Sequence, residues 1–107
     1  MSIKLSDLLQ DIITNKVDTQ SASLMLDEET KEMLVRWYLQ YSDNKEADIQ
    51  IVLDLLGFLY YKHDIEMTDS SVFLETMEYL SKEFSIKRDT FFSMLSDFRK
   101  MVFYTND

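Results

Sequence analysis

IVLDLLGFLYY, residues 51–61, is the longest apolar run in the chain, and its reading decides the fold. One acid, Asp54, interrupts it. The run is far too short to cross a bilayer, which takes ~20 apolar residues in a helix. At helical spacing only Gln50, Asp54, Gly57 and Tyr61 gather on one narrow stripe, so the remaining circumference is apolar. A helix apolar nearly all round is wrapped by others. The run therefore predicts the central helix of an all-α bundle.

Four further helices are expected around it. The first runs from about Ser6 to Val17, with Leu5, Leu8, Leu9, Ile12 and Ile13 on one face and Ser6 or Ser2 as cap. Residues 18–27, DTQSASLMLD, read as the longest connection, with Leu24, Met25 and Leu26 tucked against the core. The second helix starts at Asp27, a good N-cap, with Glu28 and Glu29 in its first turn. It sends Leu34, Trp37, Tyr38 and Tyr41 inward and spaces Glu32 and Arg36 as an i,i+4 pair.

The central third helix opens at DNKE, residues 43–46, where Asp43 and Glu46 have capping-box spacing. The fourth runs from near Thr68 to near Phe84, burying Phe73, Met77, Leu80 and Phe84, with Glu78 and Lys82 paired across a turn. The fifth runs from about Lys87 to Tyr104 on Phe91, Met94, Leu95, Phe98, Met101 and Val102. Residues 105–107 are expected to fray.

Composition agrees with this reading. The 107 residues imply one domain, large enough for a modest core. Pro is absent and Gly occurs once, which favours helices joined by short polar links and leaves no phosphate-cradling glycine loop. There is no Cys, so disulfides and zinc–thiolate sites are excluded. Asp7 and Asp11 interrupt any leader-like run at the N-terminus, and the expected location is cytoplasmic. The formal net charge is −9. Such a field repels a nucleic-acid backbone and favours basic partners.

LSKEFSIKRDTFFSML, residues 80–95, resembles a helix-turn-helix, with Ser81 and Ser85 as its small residues. Its locking positions hold Leu80, Phe84, Ile86, Phe91 and Met94. Any αα-corner satisfies much of that pattern. The residues it would offer to DNA include Asp89 and Phe92 beside Lys87, Arg88 and Ser93. Residues 68–107 hold five bases against seven acids, a net charge of −2. A DNA reader needs a basic footprint. Arg88, Phe92, Ser96, Arg99 and Phe103 instead share a second face of the fifth helix, about 100° from its apolar face. Phenylalanine and arginine are types enriched at protein interfaces. The alternative is that this face is buried too.

Other clusters have simpler readings. His63, in KHDIE with Asp64 and Glu66, reads as a helix end rather than a metal site. Asp27, Glu28, Glu29 and Glu32 make an acidic knot that serves capping and solvation, or imitates a row of phosphates. Asp54 and Tyr61 mark a stripe where another helix approaches at Gly57 or a partner docks. No nucleophile–base pair can be assembled, so neither catalysis nor a cofactor is expected. In general character the chain resembles small inhibitors and adaptors, including those that phages make against host enzymes. The expected function is therefore a non-enzymatic protein-binding module, compatible with a homodimer. Its candidate contacts are Arg88, Phe92, Arg99, Phe103, the acidic knot, Asp54 and Tyr61. The alternatives are an acidic mimic that blocks a nucleic-acid-binding enzyme and a helix-turn-helix regulator.

Overall fold

The computed structural model describes residues 4–62 and 70–103. They form an all-α bundle. Helix α1 spans Leu5–Ile13, α2 Thr19–Leu24, α3 Glu28–Tyr41, α4 Ile49–Lys62, α5 Ser70–Phe84 and α6 Phe91–Phe103. A 3-10 turn, Arg88–Thr90, leads into α6. Among the described residues no strand forms, and Ser42 and Ile86 make a single antiparallel bridge.

Helix α4 is central, as its apolar girth demands. It packs against α1, α2, α3 and α6. Val52, Leu53, Leu55, Leu56 and Leu59 are buried on it, among Leu8 and Leu9 of α1, Leu34 and Tyr38 of α3, and Phe98 of α6. Each fully buried aliphatic or aromatic side chain contributes about 1.5–3 kcal/mol, so this layer dominates the stability. The single glycine sits where α4 meets α1: a Cβ at Gly57 would lie 3.6 Å from Ile12 Cγ2 and 3.9 Å from Ile13 Cγ2.

Local chemistry sets the boundaries, and several differ from the sequence expectation. Helix α1 stops at Ile13 rather than near Val17. Asn15 turns left-handed (φ 63°), and Lys16 donates to the Asp11 carbonyl at 2.9 Å. Asn tolerates that conformation better than most residues. Lys4 holds the N-cap position and Ser6 lies inside the helix; Ser2 is outside the described residues.

The expected loop over residues 18–27 contains α2, capped by Asp18, whose carboxylate accepts the Ser21 N–H at 2.7 Å. Ala22 and Leu26 reach the core, but Leu24 is 79% exposed and Met25 is exposed beside it. Helix packing explains this. A short helix lying on α4 buries one face only, and Leu24 falls outside it.

Helix α3 starts as expected, with Asp27 accepting the Thr30 N–H at 2.7 Å. Helix α4 begins later than DNKE. Asp48 provides the cap, accepting the Gln50 N–H at 3.1 Å. Asp43 is engaged elsewhere, its N–H donating to the Ser85 carbonyl at 2.8 Å. Of the expected ion pairs, neither Glu32–Arg36 nor Glu78–Lys82 closes; within the described residues the pair below 4 Å is Lys31–Glu28, at 3.3 Å. The expected cap of α5 at Thr68 and the terminal fraying fall outside the described residues.

The α5–α6 corner is bolted to the end of α3. Ser85 turns the chain with φ 55°, and Ile86 donates back to the Leu80 carbonyl at 3.3 Å. Lys87 donates to the Tyr41 carbonyl at 2.8 Å. The Phe84 carbonyl accepts from the Tyr38 hydroxyl at 2.6 Å and from Ser42 Oγ at 3.2 Å. Asn44 Nδ2 in turn donates to the Tyr38 hydroxyl at 2.9 Å. Carbonyls at the end of a helix lack intrahelical partners, and here α3 supplies them.

Candidate protein-binding surface

Helix α6 separates its residues by face. Phe91, Met94, Phe98 and Val102 point into the core, with Leu95 and Met101 half-buried at its margins. Phe92, Ser96, Arg99 and Phe103 recur at helical spacing along one flank. All four are exposed, so the alternative of a second buried face does not hold. Phe92 is 71% exposed and Phe103 39%. Phe92 stacks on Phe73 of α5 (5.4 Å, 20°), and Phe103 stacks on Tyr60 of α4 (5.8 Å, 19°). The two stacks stand about 16 Å apart along α6 at 1.5 Å per residue. Each stack holds a ring that is still partly open to solvent. Arg99 lies between them, exposed.

Arg88 departs from the expected stripe. It belongs to the 3-10 turn before α6, so the helical spacing that joined it to Phe92 does not apply. It is exposed beside Asp89 at the corner.

The Asp54 stripe is less open than a free edge. Gly57 is covered by α1, whereas Asp54 is itself exposed, with Thr19 of α2 beside its carboxylate. Burial beside α2 raises the Asp54 pKa above the usual carboxylate value, and the Thr19 hydroxyl partly offsets it. Tyr61 projects at the far end, 66% exposed, with Lys62 Nζ 5.9 Å from its ring centre.

The acidic knot is fully at the surface. Two of its members already have structural roles. Asp27 caps α3, and the Thr30 bond holds its pKa below the usual carboxylate value. Glu28 pairs with Lys31. His63, Asp64 and Glu66 lie outside the described residues. Among the described residues no cluster of His, Asp or Glu is arranged to hold a metal, and no helix is long and apolar enough to cross a membrane.

Sequence reasoning missed a groove on the opposite flank of α6. Met33, Arg36, Trp37 and Gln40 of α3 form one wall, and Asp97, Lys100 and Met101 of α6 form the other. The groove holds about 420 Å³. The Tyr41 hydroxyl donates to the Asp97 carboxylate of the α6 wall. Burial, reinforced by that bond and by the carboxylate charge, pushes the Tyr41 pKa up to about 12. The Trp37 indole is 5% exposed, yet its N–H meets no acceptor among the described residues. Leaving a buried donor unpaired costs about 1–3 kcal/mol. The helical spacing of 33, 36, 37 and 40 was visible in the sequence, but the α6 wall was not, because only the fold brings Asp97 to Tyr41.

Compared with protein-family models, with curated proteins and with solved structures, the chain finds no match in any of the three.

Proposed function

We propose that the chain is a small, non-enzymatic protein-binding module, an inhibitor or adaptor, that meets its partner through the outer flank of α6. The observation that carries this reading is the exposure of Phe92. A phenylalanine 71% open to solvent, stacked on Phe73, is a preformed aromatic anchor. It loses little side-chain freedom on binding, because its ring is already held. Arg88 and Arg99 lie to either side in sequence, and Phe103 repeats the aromatic contact about three turns along. Arginine and aromatic side chains dominate interface hot spots.

The acidic knot supports a variant of the same reading. Asp27, Glu28, Glu29 and Glu32 are all exposed and would suit a basic partner, including a nucleic-acid-binding enzyme.

The test is quantitative affinity capture from the native cell, followed by complex mass and affinity measured with purified partner. Phe92→Ala and Arg99→Ala are expected to weaken binding at least about tenfold, in the range of a hot-spot residue. Their thermal midpoints should stay near that of the parent chain. A midpoint that collapses in Phe92→Ala would show that the ring is structural, and undiminished binding would remove the flank from the interface. If Asp27→Asn, which keeps a capping oxygen, abolishes capture of a basic partner, the acidic variant is favoured.

A further inference from the structure

The groove between α3 and α6 gathers chemistry unlike the rest of the molecule. In a chain of net charge −9, it brings Arg36 of α3 and Lys100 of α6 to the lining of one groove. Its one acid, Asp97, is engaged by the Tyr41 hydroxyl. Gln40 adds a further polar group, while Met33, Met101 and the Trp37 ring provide apolar lining. Methionine side chains are unbranched and polarizable, and they reshape to fit a partner's apolar residue. Trp37 is more than nine-tenths buried, with the edge of its ring in the wall, and its N–H finds no acceptor among the described residues. Each wall is a helical face at i, i+3, i+4 spacing, the geometry in which a further helix docks between two others.

We infer that this groove binds an acidic amphipathic segment of a partner protein. Arg36 and Lys100 take its carboxylates, and Trp37 with Met33 and Met101 takes its apolar side chain. Charge complementarity selects this occupant. Two cations are too few to hold a nucleic-acid backbone, whose binding grows with the number of phosphates neutralised. An acidic side chain placed elsewhere on this surface meets mostly like charge. The site lies on the opposite flank of α6 from Phe92 and does not depend on the reading given for that flank.

The chain contains one tryptophan, so its indole N–H gives one resonance in a 1H–15N spectrum. The probe is a synthetic helical peptide of Glu-Leu-Leu-Glu repeats, with a Lys-Leu-Leu-Lys peptide as control. The Glu peptide is expected to shift the indole signal saturably, as charged and apolar side chains seat beside the ring. Arg36→Glu and Lys100→Glu should each weaken that binding about tenfold, because each turns an attraction into a repulsion. Both side chains are exposed, and the milder Arg36→Gln guards against loss of fold. Phe92→Ala should leave the titration unchanged. No displacement by the Glu peptide overturns the inference, as does equal displacement by the Lys peptide or indifference to both charge reversals. Movement of the signal with the protein's own concentration, together with a doubled mass, would assign the groove to a second copy and overturn it equally.

Discussion

Tyr41 ties α3 to α6. Its ring meets Trp37 edge-on (6.0 Å, 67°), and its hydroxyl donates to Asp97. A hydrogen bond to a charged group contributes about 1.5–3 kcal/mol when buried, and Asp97 is only half-buried, so Tyr41→Phe is expected to lose about 1–2 kcal/mol at neutral pH. The sign of the pH effect follows from the raised pKa. The folded chain keeps the phenolic proton to about pH 12, whereas an ordinary tyrosine releases it near 10. Tyr41 therefore supports the fold fully below pH 10, and that support is lost as pH rises toward 12. Urea midpoints measured across this window should fall more steeply in the parent chain than in Tyr41→Phe. Parallel slopes for the two proteins would show that the Tyr41 proton is not linked to folding. Nothing local in the sequence announces this bond, because its partners stand 56 residues apart.

At the scale of elements, what periodicity could reveal was legible. Helices α3 and α6 bury the faces that their apolar spacing marks, α5 buries Leu80 and Phe84 but leaves Phe73 and Met77 half-buried, and α4 is central because polar residues occupy only a stripe of it. Helix α2 was not legible as a helix: TQSASL is short and mostly polar, and it is helical because Asp18 caps it and α4 backs it. The start of α4 was misplaced for a tertiary reason, since Asp43 is drawn to the Ser85 carbonyl and leaves the cap to Asp48. Gly57 illustrates a limit of another kind. The approach of another helix there was expected and α1 is that helix, yet the spacing is not tight enough to require glycine. A Cβ would meet Ile12 and Ile13 at ordinary contact distances of 3.6 and 3.9 Å. Gly57→Ala should thus restore helix propensity without a clash and stabilise the chain by about 0.5–1 kcal/mol. For a domain of this size that raises Tm by roughly 2–8 °C. A lower Tm in calorimetry would mean that α1 and α4 cannot yield the space.

The whole molecule decides whether the α5–α6 corner reads DNA. Its described body measures 41 × 30 × 26 Å. At low salt, around 0.01 M, charge acts over about 30 Å, so a duplex approaching the corner feels nearly the full field of the protein. That field sums to −9, with −7 carried by residues 1–67. A DNA reader gains most at low salt, because it releases counterions from the phosphates it neutralises. Here the same condition exposes the duplex to unscreened repulsion. The corner itself offers exposed Asp89 and Phe92 beside Lys87 and Arg88. Its turn is held against α3 by the Tyr38–Phe84 and Tyr41–Lys87 bonds. Fluorescence anisotropy with a labelled duplex at low ionic strength should therefore show no binding tighter than the ~10⁻⁴ M edge of non-specific association. Micromolar binding that weakens steeply with added salt would reverse this conclusion and make the corner a helix-turn-helix in function. Absence of binding at low salt is the outcome expected under the protein-binding reading proposed for the Phe92 flank, since aromatic anchors gain from burial whatever the ionic strength.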